Sequence, residues 1–162
     1  MRWDNTIRTD RGTIVKRKTF EECIEKNTLI KITVEKNKIL ARHLLSLAEH
    51  RQNFWKSVSQ KTKEYPSLFL EGYYKIIKEL STAILALDGW TSLDHECLFA
   101  YLKHERQELE VDFDYLFDLK DIRNEISYRG LEVSHETWEN NELKLQLTID
   151  AMKEYLTSKL QQ

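Results

Sequence analysis

Glycine and proline are scarce: four and one, respectively, among 162 residues. A meander of hairpins needs more turn-formers than that, whereas the plentiful Leu, Lys, Glu and Ile favour helices. Long apolar runs are missing as well. Nothing approaches the roughly 18 apolar residues of a membrane-spanning helix, and "MRWDNTIRTDRGTIVKRKTF" lacks the apolar centre of a signal peptide. Cysteine is limited to Cys23 and Cys97, which form no C-x-x-C pair. They support neither a disulfide framework nor a zinc site, and a reducing cytoplasm is the expected compartment. An excess of one charge is absent too: the net charge is -2 with 32% charged residues. That balance removes any general attraction to nucleic acid or membrane, so an anion site has to be local. Hydrolase-elbow, P-loop and zincin motifs are also absent.

The chain has 41% hydrophobic residues and a length suited to one core. The expected fold is all-α, an antiparallel bundle of four to five helices. Residues 1–18 carry six cationic residues against Asp4 and Asp10 and read as a basic N-terminal arm. The bundle domain then occupies residues 19–162. A short helix is expected in "TFEECIEKN", with Thr19 and Glu22 forming a capping box. "TLIKITVEKN" alternates weakly, but a single short run without a partner makes no sheet. Residues 36–60 form a first long helix whose stripe of Ile39, Leu40, His43, Leu44, Leu47, Ala48, Phe54, Trp55 and Val58 should face the core.

Pro66 breaks that helix, and residues 68–87 are apolar nearly all round, as for a helix covered on several sides. "LDGW" supplies a stop, and Thr91 or Ser92 can cap "LDHECLFAYLKHE". A further helix spans residues 108–128 and ends at Gly130; a last one opens at Ser134. Trp90 and Trp138 flank the expected loops as exposed reporters.

Two histidine groups carry little chemistry by spacing. Cys97 and His104 share a helix face but lie about 10 Å apart along the axis, too far to bind one zinc. No metal site is expected. Asp94 reads as a cap, Cys97 as packing and His95 as a first-turn polar contact. His43 and His50 read as snorkelling or hydrogen-bonded side chains. The carboxylate-rich "EVDFDYLFDLKDIRNE" is a solvated face or a surface for a basic partner. Its C-terminal end differs: Arg123, Asn124, Tyr128 and Arg129 crowd a helix end whose dipole favours cations. Capping, with Arg123 paired to Asp118 or Asp121, is the plain alternative to a binding role.

Three stretches carry a family resemblance: "LARHLLSLAEHR", "GYYKIIKELSTAILALDGW" followed by "DHECLFAYL", and "DIRNEISYRG" before a final amphipathic helix. From about residue 19 to 160 the chain resembles the higher eukaryotes and prokaryotes nucleotide-binding (HEPN) domain family. The resemblance implies a bundle that dimerises and sets an Arg-polar pair and a following His from each subunit around a cleft. It also implies no cofactor, and in the ribonuclease members metal-free attack of the ribose 2'-hydroxyl on the adjacent phosphate. Carried over, Arg123 holds phosphate and Asn124 is its polar neighbour. The histidine is replaced, because Tyr128, Arg129 and Gly130 fill its window. A phenol titrating near 10 is a poor base beside an imidazole near 6.5. Tyr128 can still hydrogen-bond or stack on a base, with His135 reaching the site only through a folded-back loop.

The expected function is a homodimeric RNA- or nucleotide-binding module, the HEPN partner of a nucleotidyltransferase in a toxin-antitoxin pair. The alternatives are a metal-independent endoribonuclease with Arg123 and Tyr128 in a composite dimer site, and a helical protein-interaction module. Candidate ligand-binding residues are Arg123, Asn124, Tyr128, Arg129 and His95. No membrane association is expected.

Overall fold

The computed structural model describes residues 16–32 and 34–162, and the side chains of 34–36 fall outside that description. The chain is an all-α bundle, 74% helical. In order it forms α1 (Phe20–Glu25), β1 (Leu29–Lys31), α2 (Val34–Ser57), a 3-10 turn (Ser59–Lys61), α3 (Pro66–Leu87), β2 (Trp90–Ser92), α4 (His95–Glu105), α5 (Phe113–Arg129) and α6 (His135–Leu160).

α3 is the hub, as its all-round apolarity predicts. Pro66 occupies its first turn, where the missing N–H costs nothing, and Phe69, Leu70, Ile76, Ile77, Leu80 and Ile84 are buried. Gly72 lets α2 approach closely, because a Cβ there would overlap the indole of Trp55. Ser134 caps α6, and Trp138 packs against Phe69 and Tyr73. Trp138 is therefore a core residue and not the exposed reporter the sequence suggests.

Four further expectations need correction. "TLIKITVEKN" does find a partner: β1 pairs antiparallel with β2, Leu29 opposite Ser92 and Lys31 opposite Trp90. Thr91 and Ser92 are thus strand residues, and Asp94 caps α4 by accepting from the Cys97 backbone N–H at 2.7 Å. Cys23 and Cys97 form a buried disulfide with Cα atoms 5.7 Å apart, tying α1 to the first turn of α4. α5 starts at Phe113 under an Asp112 cap, leaving residues 108–111 in a loop even though Leu109 is buried there.

The stripe assigned to the core face of α2 lies partly outward. Ala41, Ala48 and Gln52 are buried, while Ile39, Leu40, Leu47 and Phe54 are exposed. The two alanines fit where α3 sits near.

Residues 1–15 of the expected basic arm lie outside the described residues. Its last three residues are bound to the bundle. Lys16 pairs with Glu22, Arg17 with Asp114 and Asp118, and Lys18 with Asp94. The domain boundary at residue 18 accordingly falls inside a docked segment.

Candidate functional site

The acidic run of α5 is largely neutralised from within the chain. Asp112 takes Lys144, Asp114 takes Arg17 and Lys103, Asp118 takes Arg17, and Asp121 takes Lys120. Both carboxylates that could have paired with Arg123 are thereby engaged elsewhere. Among the described residues Arg123 forms no ion pair; its contacts are Asn124 Oδ1, which accepts at 3.3 Å, and the ring of Tyr128, whose centroid lies 5.8 Å from the guanidinium carbon.

Helix phase brings three other side chains to this arginine. Tyr74 and Lys78 lie one turn apart on α3, and His95 is the first residue of α4, oriented by the Asp94 cap beside it. The Tyr74 hydroxyl stands 2.8 Å from His95 Nδ1. Burial and then the Arg123 charge act on Tyr74; burial dominates and raises its phenol well above the ordinary value. The phenol therefore keeps its proton and shares one hydrogen bond with Nδ1 of the imidazole.

His95 is held neutral. Burial lowers its pKa to about 4, helped by the positive charges of Lys78, Arg123 and Lys75 and opposed by Asp94. Lys78 is lowered as well, by burial first and then by Lys75 and Arg123. Among the described residues Lys78 forms no ion pair, and Lys75 is 3.9 Å from a Glu79 carboxylate that Arg51 also holds. Two cations without carboxylate partners among the described residues thus both act on one neutral imidazole. Such a set lowers its own repulsion by admitting an anion, and the planar fork of Arg123 suits a phosphate oxygen pair.

Of the residues singled out in the sequence, the structure brings together Arg123, Asn124, Tyr128 and His95. Tyr128 is 77% exposed, free to meet a flat ligand but not to be desolvated by the protein itself. Arg129 turns away and pairs with Glu125. His135 pairs with Glu139 within α6. Cys97 has no thiolate to offer a metal while it is bonded to Cys23. Tyr74 and Lys78 escape sequence reading: the first looks like any core aromatic, the second like any surface lysine, and only the α3–α4–α5 packing reveals them.

Two hollows lie away from this cluster. One of about 380 Å³ runs along Phe20, His104 and Phe117; another of about 280 Å³ lies among Lys38, Arg106 and Tyr155. The chain matches no protein-family model, no curated protein and no solved structure.

Proposed function

We propose that the protein is a homodimeric HEPN-type module that binds RNA or a nucleotide through phosphate, without cleaving it, in the role of partner to a nucleotidyltransferase. The observation that carries this reading is Arg123, which pairs with no carboxylate among the described residues and lies against Asn124 and the exposed ring of Tyr128, with its charge and that of Lys78 felt at His95. Arg123 clamps the phosphate, with Asn124 steadying the guanidinium. Lys78 adds charge and the His95 N–H adds a directed hydrogen bond. Tyr128 supplies an exposed ring for a base to stack on.

An endoribonuclease is the second reading, favoured by one feature: the charge of Arg123 is felt at the imidazole of His95, although no histidine stands in the window filled by Tyr128, Arg129 and Gly130. A histidine titrating near 4 is a weak base at neutral pH, however, and its Nδ1 is already taken by Tyr74. Binding is the better supported of the two.

Fluorescence anisotropy of short single-stranded RNA and of nucleotides, in chelator and over a salt series, tests the reading. Arg123→Ala should weaken binding by at least about tenfold, as expected for loss of a hydrogen bond to a charged group worth about 1.5–3 kcal/mol. RNA recovered intact supports binding alone. Cleavage that Arg123→Ala abolishes supports the ribonuclease, and absence of binding in the wild type removes both.

A further inference from the structure

The hollow of about 280 Å³ opens where α3, α4 and α6 end beside the second turn of α2. Three cations line it: Lys38 from α2, Arg106 at the end of α4 and Lys159 in the last turn of α6. Two carboxylates lie among them, and neither meets the demand. Asp88 is already spent, one oxygen taking Nη2 of Arg106 and the other accepting from the Tyr101 hydroxyl at 3.1 Å. Glu108 is 55% exposed and stands 3.9 Å from Nε of Arg106, too far to accept its hydrogen.

That Nε–H is buried and finds no acceptor among the described residues. Buried donors are nearly always paired, so this one calls for an acceptor from outside the chain. Lys38 and Lys159 form no ion pair among the described residues, and Lys159 lies over the ring of Tyr155, 5.6 Å from its centroid. Helix ends explain part of this charge, because the carbonyl ends of α4 and α6 favour Arg106 and Lys159. Lys38 stands early in α2, where its own helix gives a cation no advantage.

We propose that this hollow is a second anion site, separate from Arg123, that binds a phosphate group as the free ion or on a small ester. The donors favour phosphate over carboxylate. Both Nη groups of Arg106 are held, by Asp88 and by the Glu105 carbonyl, so it cannot offer the two-pronged fork that grips a planar carboxylate. Two lysine point charges and one single N–H, arriving from three different elements, suit the divergent oxygens of a tetrahedral group. The Tyr155 hydroxyl reaches Glu108 only at 3.5 Å and can turn to a phosphate oxygen once the exposed Glu108 swings outward. The volume lies just below the roughly 300–1,000 Å³ of ligand pockets, room for a small molecule and not for a polymer. The inference stands independently of RNA binding at Arg123.

Amide NMR titrations of the full chain with inorganic phosphate and with phenyl phosphate, at ionic strength held constant with chloride, test it. Phosphate should shift the amides of residues 87–89, 106–108 and 155–159 as one saturable set. Lys38 and Lys159 are exposed, so a variant carrying Lys38→Ala and Lys159→Ala should fold, weaken that set by about tenfold or more and leave the shifts around Arg123 in place. Arg123→Ala should do the reverse. Glu108→Gln removes the opposing charge and should tighten binding, a response that a merely structural cluster would not give. Tighter binding of phenyl phosphate assigns the hollow to an ester, and equal binding assigns it to the free ion. A set that does not move, that moves alike with chloride alone, or that the double lysine variant leaves unchanged overturns the proposal, while Arg123→Ala decides the other site separately.

Discussion

The Tyr74 hydroxyl stands 2.8 Å from Nδ1 of His95, and that single hydrogen bond orients an imidazole held neutral by burial and by the charges of Lys78 and Arg123. The folded pKa of about 4 lies below the ordinary value near 6.5, so the folded state holds fewer protons than the unfolded one between those limits. Stability from this source is complete above about pH 6.5 and is lost as pH falls toward 4. Histidine resonances followed by NMR should place His95 near the lower limit in the free protein. Addition of inorganic phosphate should move it upward, since an anion favours the imidazolium.

Lys78 separates binding from stability. Its charge is held beside Lys75 and Arg123, so Lys78→Ala should raise the His95 pKa and leave the melting temperature unchanged or slightly higher. The same variant should weaken RNA binding and reduce the slope of log affinity against log salt by about one. Unchanged salt dependence would remove Lys78 from the site.

The Cys23–Cys97 disulfide spans 74 residues of sequence and is buried at both ends. By the chain-entropy account, losing it costs about 4 kcal/mol. Urea unfolding of Cys23→Ser and Cys97→Ser should show a fall of that order. Wild-type protein unfolded without reductant should yield no titratable thiol.

Gly72 allows α2 and α3 their close approach. Gly72→Ala would force the Trp55 indole out of its place, and overpacking of this kind costs about 1–3 kcal/mol. A lower midpoint in urea together with a shift in tryptophan emission is the expected outcome.

Local signals were legible in the sequence. The Thr19–Glu22 capping box, Gly130 in the left-handed region after α5 and the Ser134 cap each act within a few residues, and each stands where sequence reading put it, whereas Pro66, read as the break of the helix before it, opens α3. Features made by distant partners were not legible. β1 has no reason to be a strand until β2 arrives across α2 and α3, and two cysteines without a motif give no sign of being neighbours until α1 lies on α4. The inward face of α2 was partly misread: Ala48 is buried as expected, but Ala41 and Gln52 look less like core residues than Leu47 and Phe54 do. At the site, Arg123 and Asn124 could be named from the motif. Lys78 and Tyr74 could not, since nothing in their own neighbourhood separates them from ordinary helix residues.

The bond between Cys23 and Cys97 also gives the molecule an unusual connectivity. β1, α2, α3 and β2 lie on a covalent ring, with α5 and α6 as a tail leaving from α4. A protease that cuts the exposed turn around residues 59–65 opens the ring without releasing a fragment. The nicked chain would migrate as one species on a non-reducing gel and as two after reduction.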